Sequence, residues 1–158
     1  LLVALRKLMT NGYKVNLSIV GEGYQSDNIR EYIDRNNMDN VRLLGAINNQ
    51  LLPSCLHLHD CLVLPSEKES FGVVVAEAGA CGLPVVTSRC GGPEEIVNHA
   101  DMGVTYSLED QDGLYEALEY ICLNLDTFNP KVISLRTKER FGWQYVVPRI
   151  LSQYGVGL

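Results

Sequence analysis

Glu69-Ser70-Phe71-Gly72-Val73-Val74-Val75-Ala76-Glu77-Ala78-Gly79-Ala80-Cys81-Gly82-Leu83-Pro84 reads as a loop, then a helix, then the approach to a strand. Upstream, Cys61-Leu62-Val63-Leu64 is an apolar run of strand length, closed by Pro65-Ser66 because proline cannot donate to a central ladder. Downstream, Val85-Val86-Thr87 has the composition of a second buried strand. The segment between them leaves the carboxyl end of one strand and opens a helix. Open α/β sheets gather their ligands at such a place, and helix amides there carry partial positive charge.

Glu69 and Glu77 frame this helix. At about 3.6 residues per turn their spacing is a little over two turns, so the two carboxylates fall on roughly one side if both are helical. With Glu69 still in the loop, as Phe71-Gly72 suggests, it points at a ligand over the helix end while Glu77 reaches the same ligand from the flank. Gly72 lets the backbone come close to that ligand. A solvated pair on an amphipathic helix is the plainer alternative. Val73, Val74, Val75, Ala76, Ala78 and Ala80 weigh against it, since a carboxylate among apolar neighbours needs a partner.

Outward from this stretch the chain alternates strands and helices. Leu1, Leu5, Leu8 and Met9 recur at helical spacing up to the stop at Asn11-Gly12. Val15, Leu17 and Ile19 alternate as a strand that ends in Val20-Gly21-Glu22-Gly23, where Gly21 and Gly23 suggest close backbone approach to a ligand or an ordinary turn. A helix over Gln25 to Asn36 precedes a strand at Val41-Arg42-Leu43-Leu44, whose following loop, Gly45-Ala46-Ile47, can lie against a flat heterocycle or merely turn the chain. A helix is expected over Asn48 to His57, packed through Leu51, Leu52, Leu56 and Leu58. Glu94 and Glu95 read as residues favouring a helix N-terminus after Arg89-Cys90-Gly91-Gly92-Pro93. Met102 to Thr105 is the last strand, Asp110 to Leu123 a surface helix, and Pro130 the start of another helix. Strands separated by helices call for a parallel, doubly wound sheet.

The 158 residues are 46% hydrophobic and 20% charged, ordinary for one globular domain with its own core. No apolar run is long enough to span a bilayer, and the first residues read as an amphipathic helix rather than a cleaved signal, so a soluble, cytoplasmic protein is expected. A net charge of −6 without a basic stripe argues against nucleic acid. Five cysteines without a Cys-x-x-Cys pair read as reduced core thiols. His57 and His59 beside Cys55 and Cys61 are spaced for a metal, but the leucines around them favour a packed helix.

The ordered series Glu69-Ser70-Phe71-Gly72, Glu77-Ala78-Gly79-Ala80-Cys81-Gly82-Leu83-Pro84-Val85-Val86 and Gly91-Gly92-Pro93-Glu94-Glu95-Ile96-Val97, with Ile19 to Gly23 and Val41 to Gly45 upstream, resembles the retaining GT-B glycosyltransferases of family 4, the glycosyl transferases group 1. Gly79 departs from the family, which usually has Met there. The resemblance covers nearly the whole chain and implies the C-terminal, donor-binding half of a GT-B fold, a Rossmann-like doubly wound parallel sheet lacking its first strand. It implies hexosyl transfer from a UDP-, GDP- or ADP-sugar to a glycan or lipid-linked acceptor, without a cofactor or a metal. The acceptor would be held by an N-terminal domain, and the whole enzyme could associate peripherally with a membrane.

By the same resemblance Glu69 holds hydroxyls of the transferred sugar and is the catalytic residue, while Glu77 binds the ribose hydroxyls. Amides around Ser70, Phe71, Gly72 and Val73 meet the sugar and diphosphate, Gly21 and Gly23 leave room for the diphosphate, and Gly45 and Ala46 line the nucleobase pocket. The family's phosphate-clamping Arg and Lys belong to a segment preceding the first helix, and Arg6 and Lys7 do not match them. Phe141-Gly142-Trp143 resembles the family's closing helix, with Trp143 as a core anchor. A GT-B nucleotide-sugar 2-epimerase and a non-catalytic sugar-nucleotide-binding domain are the alternatives. A missing central strand predicts that the Val15 strand pairs directly with the Cys61 strand, or that another molecule fills the gap, because buried unpaired backbone groups cost roughly 1–3 kcal/mol each. Direct pairing would draw the Gly21–Gly23 loop toward Phe71 and narrow the diphosphate site.

Overall fold

In the computed structural model, which describes residues 1–155, five strands alternate with helices and every pairing between strands is parallel. The order is α1 (Leu2–Thr10), β1 (Leu17–Val20), α2 (Ser26–Arg35), β2 (Val41–Gly45), α3 (Leu52–Leu56), β3 (Leu62–Leu64), α4 (Val73–Ala80), β4 (Val85–Ser88), α5 (Gly92–Ile96), β5 (Gly103–Tyr106), α6 (Gly113–Asn124), α7 (Pro130–Phe141) and α8 (Trp143–Gln153). The strands form two sheets, β1-β2 and β3-β4-β5. β4 is central in the larger one and buried at all four positions. Fully burying Val85 and Val86 there stabilises the fold by about 1.5–3 kcal/mol each.

The expected direct pairing of the Val15 and Cys61 strands does not occur. β1 bonds β2 and β3 bonds β4, with no ladder between β1 and β3 among the described residues. The glycine loop after β1 is therefore not drawn onto Phe71 by such a pairing. Two features explain the outcome. α1 spans both parts of the core, with Leu5 in the cluster of Met38 and Val41 and Leu8 in the cluster of Val75, Val85 and Val86, so side chains hold the sheets as neighbours without backbone bonds. No residue of β1 or β3 is fully buried, so their edges escape the full cost of unpaired groups in a dry core.

Local chemistry sets the helix boundaries. α7 starts at Pro130, where a missing N–H costs least, and the Asn129 side chain accepts from the amides of Lys131 and Val132. α3 is shorter than expected, only five residues, with a turn over Asn49 to Leu51 and Pro53 in its first turn. Leu56 is buried there, but Leu51 and Leu58 are exposed, so the leucines around His57 do not form one packed face. Trp143 is not a core anchor. It is 76% exposed, because α8 packs chiefly on α7 and Phe141, two residues earlier at the end of α7, takes the inward position. The five thiols are free, four partly buried and Cys122 exposed, so Cys122 is not a core residue. No described helix is long and apolar enough to cross a membrane.

Candidate functional site

The carboxyl ends of the strands carry two loop clusters. In the first, β1 and β2 end on left-handed or extended glycines, Gly21 at φ +120° and Gly45 at φ +68°. Gly21 N–H donates to the Gly45 carbonyl at 2.8 Å. Glu22, which the sequence marks only as the residue between two glycines, reaches across so that its Oε1 accepts from Ala46 N–H at 3.4 Å. Gly21, Gly45 and Ala46 are thus brought together, while Gly23, two residues beyond Gly21, is bonded to Ser26 at the start of α2. Space is open beside Gly21 and Gly23, where an added Cβ would meet nothing within 4 Å.

The second cluster surrounds the start of α4. Gly72 is its N-cap at φ +80°, a left-handed conformation that glycine adopts freely, and an added Cβ would stand 2.8 Å from Pro93 Cγ. Conformation and contact with Pro93 both require glycine here, in addition to any ligand. Among the described residues no side chain caps the helix, so its first-turn amides find no side-chain acceptor there. Val73 is exposed, and Glu77, one turn on along the same face, is half-buried and in no ion pair among the described residues. Glu69 lies in the loop as expected, partly buried and bridged to Gly91. Ser70 is exposed, while the Phe71 ring stands edge-on to Phe141 with centroids 5.6 Å apart. The sequence offered no sign of that partner, because the contact depends on how α7 packs against α4.

Gly79 also finds its explanation across helices. An added Cβ would collide with the Thr137 side chain, so the helix-weakening residue is what lets α4 and α7 pack closely. The Thr137 hydroxyl donates back to the Ile133 carbonyl at 2.9 Å. Glu94 and Glu95 stand in the first turn of α5 as read, and Oε2 of Glu94 is buried without a hydrogen-bond partner among the described residues. Arg6 and Lys7 are engaged elsewhere, Arg6 donating to Asn36 at 2.6 Å and Lys7 pairing with Asp112 at 2.7 Å. No hydrogen bond among the described residues joins the two clusters. Among those residues no three His, Cys, Asp or Glu side chains converge as metal ligands would; His59 Nδ1 lies 2.8 Å from the Cys55 carbonyl.

Comparison with known proteins agrees with this architecture. Residues 1–128 match the family model of glycosyl transferases group 1. N-acetyl-alpha-D-glucosaminyl L-malate synthase of Bacillus anthracis is 32% identical over 152 residues, which are 96% of this chain and 39% of that protein. Glycogen synthase of Mycobacterium tuberculosis H37Rv is 31% identical over 156 residues, 97% of this chain and 38% of its own. Among solved structures, sucrose-phosphate synthase of Thermosynechococcus elongatus superposes with a TM-score of 0.80 at 25% identity, covering 96% of this chain and 40% of that one. HepE (Alr3699) of Anabaena, solved with UDP and glucose, superposes at 0.78 with 21% identity, covering 97% and 44%. The chain therefore spans about two fifths of the length of these relatives. With its parallel α/β fold and the matched family model, this chain belongs to the glycosyl transferases group 1 family.

Proposed function

We propose that residues 1–158 form the nucleotide-sugar-binding, C-terminal domain of a retaining, family-4-type glycosyltransferase that moves a hexosyl unit from a nucleoside diphosphate sugar to a glycan or lipid-linked acceptor. The observation that carries this reading is the start of α4, where Glu69, an uncapped helix end at Gly72 and Glu77 follow one another along the chain. Glu77 accepts two hydrogen bonds from the ribose, stronger for its charge than a neutral acceptor would make. Glu69 orients hydroxyls of the sugar being transferred. The amides at Phe71, Gly72 and Val73 face the diphosphate, and their fixed dipoles offset the negative charge that grows as the leaving group departs. The open space at Gly21 and Gly23 admits the diphosphate, and the Gly45-Ala46 loop lines the base pocket. HepE was solved with UDP, and the same chemistry in this chain would take a nucleoside diphosphate.

Retention of configuration often calls for a carboxylate nucleophile. None is assigned, because this half of the enzyme supplies leaving-group stabilisation. The acceptor is held by the part of the protein outside this chain, and the enzyme works in the cytoplasm or at a membrane face. Calorimetry of the full-length protein against UDP-, GDP- and ADP-sugars tests the proposal. One nucleotide class is expected to bind, with Glu77→Ala weakening it, and binding of none would overturn the reading.

A further inference from the structure

Beyond the β3–β4 ladder, the chain from Pro65 to Phe71 belongs to neither a helix nor a longer strand, yet it carries Glu69. It is held from the side by the end of β4. Thr87, fully buried, donates its hydroxyl to the Leu64 carbonyl at 3.1 Å, and the equally buried Ser88 donates to the Ser66 carbonyl. These two hydroxyls continue the ladder where Pro65 has no N–H to offer. One step further, Glu69 bridges to Gly91 and Gly92 N–H approaches the Glu69 carbonyl at 3.4 Å. A Cβ on Gly92 would fall on Phe71 Cα, 2.5 Å from the Ser70 carbonyl oxygen and 2.7 Å from that of Phe71. Gly91 has a left-handed φ of +124°, but Gly92 begins α5 in a conformation open to any residue. At Gly92 glycine is therefore demanded by space alone: the peptides of Ser70 and Phe71 lie where a side chain would be.

We propose that Gly92 is a positioning residue. By letting the Ser70-Phe71 backbone close onto the β4–α5 turn, it fixes where Glu69 and the Phe71–Val73 amides stand over the transferred sugar and its diphosphate. Ser88 assists by holding Ser66. The proposal rests on the donor-binding reading and goes beyond it by naming residues that touch no ligand but set the geometry of those that do.

Gly92→Ala, Ser88→Ala and a control, Gly82→Ala, in the full-length protein test it. The control has a comparable conflict, φ +87° with an added Cβ 2.7 Å from the Pro130 carbonyl, at the α4–α7 junction away from both loops. Gly92→Ala is expected to speed hydrogen exchange at the Ser70, Phe71 and Gly72 amides. It should lower kcat roughly 100-fold, the size of effect a misplacement of about 1 Å produces, while nucleoside diphosphate affinity falls by about tenfold at most, because the displaced amides face the diphosphate but Glu77 keeps the ribose. Gly82→Ala should lower the melting temperature while exchange at residues 70–72 and the kcat of the folded fraction hold. Should Gly92→Ala fail to fold, Ser88→Ala, which removes one hydroxyl and leaves the backbone free to stay, gives the same split at about tenfold in kcat. Equal exchange in wild type and variant overturns the proposal, as does a kcat loss no greater than that of the control, or affinity that falls in step with kcat. A wild type that binds no nucleotide sugar overturns the donor reading and with it the role of Gly92; an active wild type with an equally active Gly92→Ala overturns the positioning alone.

Discussion

Replacing Glu69 by Gln keeps the side chain's volume and its bridge to Gly91 while removing the charge that would orient sugar hydroxyls. In the full-length enzyme Glu69→Gln should reduce kcat and leave nucleoside diphosphate affinity nearly unchanged, as single-turnover kinetics beside calorimetry would show. An equal loss in both would give Glu69 a nucleotide contact instead. Glu77→Ala has the complementary expectation. Losing a charge-assisted acceptor for the ribose costs on the order of 2 kcal/mol, more than tenfold in affinity. Titration with the nucleoside diphosphate measures it, and unchanged affinity would return Glu77 to a solvated helix face. Among the thiols, burial pushes Cys61 up from 9.0 to about 12. The native state keeps this thiol protonated where the unfolded chain ionises it, so its contribution to stability is full below pH 9.0 and is lost as pH rises toward about 12. Urea midpoints across that window should fall with pH in the wild type and fall less steeply in Cys61→Ala.

For the helices, propensity and packing give opposite answers at Gly79. Propensity alone makes Gly79→Ala stabilising by roughly 1 kcal/mol, because glycine is a poor helix former. The structure reverses the sign, since the new methyl would displace Thr137 at the α4–α7 contact. Gly79→Ala should therefore lower the melting temperature, and Thr137→Ala, which removes both the hydroxyl and the methyl that the new Cβ would meet, should relieve part of the loss. A stabilised Gly79→Ala would show that α7 yields easily. The loop before α4 also depends on α7, because Phe71 packs on Phe141 at that helix's end.

For the whole molecule, β4 is paired on both sides and fully buried, whereas β1 and β3 each have one paired edge. Hydrogen exchange in this chain should be slowest in β4 and faster in β1 and β3, since protection follows paired, buried backbone. Protection in β1 equal to that in β4 would mean that its second edge is covered. The parallel α/β class, the two glutamates framing α4 and the glycine loops at strand ends were legible in the sequence, because each is written in local pattern: apolar runs of strand length, glycine and proline as stops, and carboxylates among apolar neighbours. Even the loop position of Glu69 and the start of α7 at Pro130 follow from neighbours in the chain. What sequence could not decide is whatever depends on residues distant in the chain meeting in space. The split into two sheets bridged by α1, the exposure of Trp143, the reach of Glu22 to Ala46, the fit of Gly79 against Thr137 and of Gly92 against Phe71 are such cases. Each is a matter of packing, in which a missing Cβ or a shared helix matters only once the partner surface is in place.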